Sequence, residues 1–199
     1  MGHEDPSIRL LDHLPASLAD DAAELYLSAL ADKLTPVYGN GWRARKALAD
    51  GFNRRMCIAA LDRERLIGIL GIQTDTAEFM NVTLGGLRQF YGTAGSLWRM
   101  ALLSVLHHAP LTGEAYVDGV AVVQDYRGRG VGTRLIRALD AWATGQGLAM
   151  LSLEVVDANP RAEKLYRHLG FQAVREQTVW PFSTLFGFRS STVMIKPLI

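Results

Sequence analysis

The sequence predicts a mixed α/β fold in which strands outnumber helices, and three observations carry that prediction. An apolar run, Gly119-Val120-Ala121-Val122-Val123, leads through a glycine- and arginine-rich turn into a helical pattern that begins at Thr133. Residues 151–155 alternate apolar and polar side chains, as a half-buried strand does. They are followed by a capped helical segment and a second strand-like run from Phe171. Two further strand-like runs, 56–61 and 66–74, flank the charged turn Asp62-Arg63-Glu64-Arg65 and read as a hairpin.

Taken in order, residues 8–11 form a first short strand. Residues 15–34 read as one helix, with Leu18, Ala22, Leu25 and Ala29 at helical spacing. Pro36-Val37-Tyr38-Gly39-Asn40-Gly41 is rich in turn formers and reads as a break. Residues 42–50 form a short helix, and the hairpin follows. Residues 75–111 are less routine. Leu87, Phe90, Tyr91, Ala94, Leu97, Trp98, Ala101, Leu102 and Val105 keep helical spacing over about five turns. This helix packs on the core, forms a homodimer surface or covers a substrate as a lid, and the sequence leaves the three readings open. Residues 114–123 are the strand before the turn. A helix over 131–144 shows Val131, Leu135, Leu139 and Trp142 on one face, and Gly145 and Gly147 end it. Asn159 is a good N-cap, Pro160 a good first helical residue and Gly170 a helix stop. Residues 172–179 form a strand, 180–189 an aromatic-rich loop or hairpin tip, and 192–196 a closing strand.

At 199 residues the chain is long enough for one well-packed domain, and 49% hydrophobic residues suit a globular core. A formal net charge of +1 argues against a broad nucleic-acid surface. Cys57, the single cysteine, has no internal disulfide partner and reads as a small buried hydrophobe. No segment reaches the ~18 consecutive apolar residues of a membrane span. The first residues lack the basic start and apolar core of a signal peptide, so a cytoplasmic protein without a membrane partner is expected. No His/Cys/Asp cluster has metal-ligand spacing, and no metal is expected. His107 and His108 read as cations at a helix end, and His168 as an outer-face residue.

The turn Arg127-Gly128-Arg129-Gly130-Val131-Gly132 has the layout of an anion cradle. Glycines let backbone approach a ligand closely, and a helix start offers free N–H groups and a positive dipole end. Two arginines suit a pyrophosphate. Register excludes two familiar options. A P-loop needs a lysine after its last glycine, and none stands there. The dinucleotide pattern G-x-G-x-x-G would need glycine at Thr133 or Leu135. The pattern R-x-x-G-x-G does fit, on Arg127, Gly130 and Gly132. It resembles the acyl-coenzyme A pyrophosphate loop of the GNAT family, the Gcn5-related N-acetyltransferases. The segment from Asn159 to Phe171 fits N-x-x-A-x-x-L-Y-x-x-x-G-F, which is similar to the family segment that holds the pantetheine arm and supplies a catalytic tyrosine. The two motifs occupy residues 112–178, about a third of the chain.

The resemblance implies a mostly antiparallel six- to seven-stranded sheet flanked by helices, in one acetyltransferase domain over residues 1–199. The helix in 75–111 is then an insertion between the third and fourth strands. It implies acetyl-CoA as co-substrate, held by Val122, Val123, Arg127, Gly128, Arg129, Gly130, Val131, Gly132, Thr133, Asn159, Ala162 and Tyr166. The backbone N–H of Val122 would receive the thioester carbonyl, and Tyr166 would protonate the departing thiolate. Attack requires a neutral amine, and two carboxylates are candidates for collecting its proton. Glu154 lies twelve residues before Tyr166, a spacing similar to the pair in ribosomal-protein N-terminal acetyltransferases. Asp118 stands four residues before Val122 and shares its face on a regular strand, unless a bulge reverses the phase. Glu114 and Tyr116 on the same strand are weaker candidates. The acceptor would be a primary amine of a small molecule or peptide N-terminus, apolar or aromatic rather than polycationic. An acyl-CoA-binding sensor without turnover is the alternative.

Overall fold

A computed structural model describes residues 7–106, 108–178 and 187–198. The chain forms strands β1 (Ile8–Leu11), β2 (Cys57–Asp62), β3 (Arg65–Gln73), β4 (Glu114–Val122), β5 (Met150–Val156), β6 (Gln172–Thr178) and β7 (Ser190–Pro197). The helices are α1 (Ala19–Ala29), α2 (Ala31–Tyr38), α3 (Trp42–Asp50), α4 (Leu84–Leu106), α5 (Val131–Gly145) and α6 (Pro160–His168). The strands make one seven-stranded sheet in the order β1-β2-β3-β4-β5-β7-β6. Every pairing is antiparallel except β4 with β5, which α5 joins as a crossover.

Both faces of the sheet centre are covered, so β3 is buried along Leu66–Gln73 with no polar alternation. Helix α5 lies on one face with Val131, Leu135, Ile136, Leu139 and Ala143 buried. Helix α1 lies on the other, against β3 and β4. Glycines admit these helices closely. A Cβ on Gly68 would stand 3.0 Å from Val131 of α5, and one on Gly119 would stand 2.6 Å from the Tyr26 hydroxyl of α1.

Two segments depart from the sequence reading. Residues 15–34 are not one helix: a 3₁₀ turn at Ala16–Leu18 precedes α1, and Leu30 (φ −115°, ψ 32°) separates α1 from α2. Helix α2 then runs through Pro36 and stops only at Gly39, with φ 72°. The expected break at Pro36 is therefore displaced. Buried Leu34, Val37 and Tyr38 anchor this helix, and the packing outweighs the one N–H that proline lacks. The insertion also differs from one straight helix. Gly92, at φ 68° and ψ −179°, kinks α4 into two pieces. Helix α4 packs on α2 and α3, and the Tyr91 hydroxyl donates to the Tyr38 carbonyl at 2.7 Å. No helix among the described residues is long and apolar enough to cross a membrane. His107, Val179 and the aromatic residues 180–186 lie outside the described residues.

Candidate active site

The glycine-arginine turn sits where β4 hands over to α5. Gly128 (φ 79°) and Gly130 (φ 81°) occupy the left-handed region, and Gly130 is the N-cap of α5. The turn is fixed internally: the Arg127 side chain donates to the Val122 carbonyl at 3.0 Å. Tyr126 donates to Asp62 at 2.7 Å and carries the Arg129 guanidinium over its ring at 5.3 Å. Among the described residues, no backbone carbonyl accepts from the N–H of Gly128, Gly130, Val131, Gly132 or Thr133. These donors point outward at the positive end of a fifteen-residue helix, an arrangement that attracts phosphate oxygens.

A third arginine joins the turn from α6, and sequence reading missed it. A Cβ on Gly128 would lie 3.2 Å from the Arg161 guanidinium, and one on Gly132 would lie 3.5 Å from Leu165. Helix α6 thus roofs the cradle. Its start follows the expected chemistry, with the Asn159 side chain accepting from the Ala162 N–H at 3.1 Å. The signal for Arg161 was its place one residue after the Asn-Pro start, but nothing local told that the helix would fold over the turn.

Between the cradle and the middle of the sheet, β4 and β5 part. Their pairing runs only from Glu114↔Met150 to Val117↔Leu153. On its other side β4 continues along β3 as far as Val122. The Val123 N–H donates to Ile67 of β3 at 2.9 Å. Successive strand N–H groups alternate in direction, so those of Val122 and Val120 point away from β3, toward the gap that β5 has left. Val122 was expected from sequence; Val120 shares its geometry.

The β3–β4 register shifts between Gly71↔Gly119 and Ile72↔Val117, leaving Asp118 as the extra residue of a bulge. The bulge reverses the phase, as a regular strand would not. Asp118 and Val122 therefore do not share a face, and the expectation that they would is corrected. Asp118 instead lines a cavity of about 380 Å³ with Tyr26 and Tyr116. Leu30 and Leu34 of α1–α2, Met80 and Val82 before α4, and Met100 and Leu103 of α4 make the apolar wall. The insertion is thus one side of a cavity as well as a packed helix. Lys33, Glu78 and His108 add polar groups to the lining.

Tyr166 of α6 stands within electrostatic reach of Tyr26 and Tyr116, and burial pushes its phenol up to about 12. It stays protonated at neutral pH, as a proton donor must. Burial raises the Tyr116 phenol well above its ordinary value, with the charges of Glu154 and Asp118 adding to it. Glu154 does not line the cavity. Its carboxylate accepts from Gln177 at 3.3 Å and from Ser191 at 3.4 Å, which engages it on the β6–β7 side. Of the two candidate carboxylates, Asp118 lines the cavity, and Glu154 stands behind it within electrostatic reach of Tyr116, on which its charge acts more strongly than that of Asp118. Cys57 is buried, and desolvation lifts its thiol to about 12, so it is an inert core residue.

His108 stands beyond the end of the inserted helix rather than in its last turn. Helix α4 stops at Leu106, and the His108 ring turns inward to stack on Tyr116, with centroids 4.1 Å apart. Its carbonyl accepts from the buried Gln73 side chain at 2.7 Å. The available signal was Gln73 and Glu114, two polar residues at strand positions that bury.

The acetyltransferase (GNAT) family model matches residues 20–171. A thialysine N-epsilon-acetyltransferase of Mus musculus is 35% identical over 65 residues, which are 33% of this chain and 38% of that protein. The match thus spans well under half the length of this curated relative. Among solved structures, a GCN5-related N-acetyltransferase from Kribbella flavida superposes with TM-score 0.65 at 17% identity, covering 96% of this chain and 98% of that one. A Bacillus anthracis protein named as a putative streptothricin acetyltransferase was solved in complex with acetyl coenzyme A. It superposes with TM-score 0.51 at 18% identity, covering 76% of this chain and 68% of that one. At these identities the structural matches show the fold.

Proposed function

The chain belongs to the acetyltransferase (GNAT) family, and from that premise we propose that it transfers the acetyl group of acetyl-CoA to a primary amine bound in the β4-side cavity. The observation that carries the reading is the parting of β4 from β5. It leaves the Val122 and Val120 N–H groups unshared by β3, between an anion cradle on one side and a lined cavity on the other.

The chemistry follows from that layout. The cradle N–H groups, with Arg127, Arg129 and Arg161, hold the pyrophosphate of the coenzyme. Asn159 and Ala162 set the α6 wall along which the pantetheine arm runs. The thioester carbonyl lies against the free β4 amides, which stabilise the oxyanion as the amine adds; one such donor is worth roughly 3 kcal/mol in an acyl transfer. Asp118 draws the ammonium group of the acceptor into the cavity. As the tetrahedral intermediate collapses, the C–S bond breaks and the Tyr166 hydroxyl protonates the sulfur. The apolar wall favours an amine carried on an apolar body.

Thiol release from acetyl-CoA, measured across a panel of primary amines, tests the reading. The wild-type protein should turn over at least one apolar amine. Tyr166→Phe should lower kcat by about 100-fold with acetyl-CoA affinity unchanged. Acetyl-CoA binding without turnover of any amine would favour the sensor reading instead.

A further inference from the structure

We propose that His108 is the general base that deprotonates the acceptor amine, with Glu114 and Ser152 as its positioning partners; this rests on the acetyl-transfer reading above. His108 lines the cavity together with Asp118 and Tyr116, and it belongs to neither motif that identifies the donor site. One contact fixes its backbone and two fix its ring. Gln73 holds its backbone carbonyl, Tyr116 stacks on one face, and its Nε2 lies 3.3 Å from the Glu114 Oε1.

The carboxylate that braces it is buried. Glu114 is 4% exposed, at the start of β4. A buried carboxylate is costly unless its lone pairs are filled. Here Oε2 accepts from the Leu111 N–H at 2.7 Å, and Oε1 accepts from the Ser152 hydroxyl as well as facing His108. In the proposed resting state Nε2 donates to the Glu114 Oε1 and the lone pair lies on Nδ1. That is the tautomer a base requires: one nitrogen oriented by a carboxylate, the other open to a substrate proton. His108 keeps 24% of its side-chain surface, which leaves the ring reachable from the cavity.

In the proposed step the acceptor R–NH₃⁺ gives one proton to Nδ1 of His108, forming an imidazolium beside the Glu114 carboxylate. The freed nitrogen lone pair forms the C–N bond to the thioester carbon. The nitrogen then sheds its second proton through water as the C–S bond breaks and Tyr166 protonates the sulfur; the shed proton restores Tyr166. The imidazolium returns its proton to solvent, so one proton is released per acetyl group transferred. Asp118 serves as counter-ion to the ammonium before the transfer.

The test is thiol release by His108→Ala and His108→Gln with the best amine of the wild-type panel. A general base contributes about 100-fold or more, so kcat should fall by at least that factor in both variants, with acetyl-CoA affinity and amine KM within about threefold of wild type. Free imidazole should recover about tenfold or more of the loss in His108→Ala, where the ring has left a space beside Tyr116, and none in His108→Gln. A fall in kcat smaller than threefold in His108→Gln, or a fall in His108→Ala that imidazole does not relieve, overturns the assignment. If His108→Ala fails to fold, the same fall in His108→Gln, reversed by raising pH to supply neutral amine, supports it, and no such reversal overturns it. Turnover by wild type with no effect of either variant removes the base and leaves acetyl transfer standing. Absence of wild-type turnover with every amine overturns both.

Discussion

The two halves of the site are built from different materials. The donor half, from the end of β4 through α5 to α6, works with backbone: glycines at positive φ, the unshared N–H groups of a helix start and the amides of Val120 and Val122. The acceptor half works with side chains drawn from distant places: Tyr26 on α1, Gln73 on β3, Met100 and Leu103 on α4, Tyr116 and Asp118 on β4. A coenzyme that is always the same can be met by a fixed backbone pattern. The second half draws Met100, Leu103 and Ser104 from the inserted α4.

Alkali should separate the halves most widely. Burial raises the phenols of Tyr26, Tyr38 and Tyr116 and lifts the Cys57 thiol to about 12. All four belong to the acceptor half or the strands beneath it, whereas the donor half contributes Tyr166 and the Tyr126 phenol, raised first by its hydrogen bond to Asp62. Each group favours its protonated form more strongly in the folded state than in the unfolded chain. The stability they confer is therefore complete below pH about 9 and is lost progressively as pH rises above the ordinary thiol and phenol values, about 9–10. Hydrogen exchange at rising pH should show α1 and α2 opening before α5. Simultaneous opening would break the division.

Arg161→Ala should act on the donor half alone. Loss of one cation beside the turn should weaken acetyl-CoA binding by about tenfold, read by calorimetry, with amine KM unchanged. The smallest effect is expected at Tyr26. Its hydroxyl is buried against Gly71 and Gly119 with no hydrogen-bond partner among the described residues. Tyr26→Phe removes a desolvated hydroxyl that no described residue engages, so stability in urea should stay within about 1 kcal/mol of wild type. A loss of 2 kcal/mol or more would show that the hydroxyl is engaged in the folded protein.

The same contrast explains what the sequence disclosed. The donor half is legible because its demands are local. Positive-φ glycines, an Asn-Pro helix start and a strand–turn–helix order are written in contiguous residues, and Gly128, Gly130, Asn159 and Ala162 stand where that order puts them. The acceptor half depends on events with no local signature. The bulge at Asp118 changes which face a carboxylate takes, and it follows from the pairing of β4 with a strand some fifty residues earlier. Gly92 breaks a helix whose apolar spacing continues on both sides of it. Pro36 lies inside a helix because tertiary packing outweighs its local cost. His108 gained its place through Gln73 and Glu114, one on a strand before the insertion and one after it.

The most direct test of the account pairs one change in each half and measures acetyl-CoA binding by calorimetry. Gly130→Val puts a β-branched residue at φ 81°, on the N-cap of α5, where a Cβ meets nothing within 4 Å. The core is untouched, but the cradle loses both its conformation and its open approach. Asp118→Asn keeps shape and removes the charge at the cavity. Gly130→Val should weaken acetyl-CoA binding by about 100-fold or more, whereas Asp118→Asn should bind it as wild type does and lose amine turnover. Undiminished affinity in a folded Gly130→Val protein would contradict the cradle assignment.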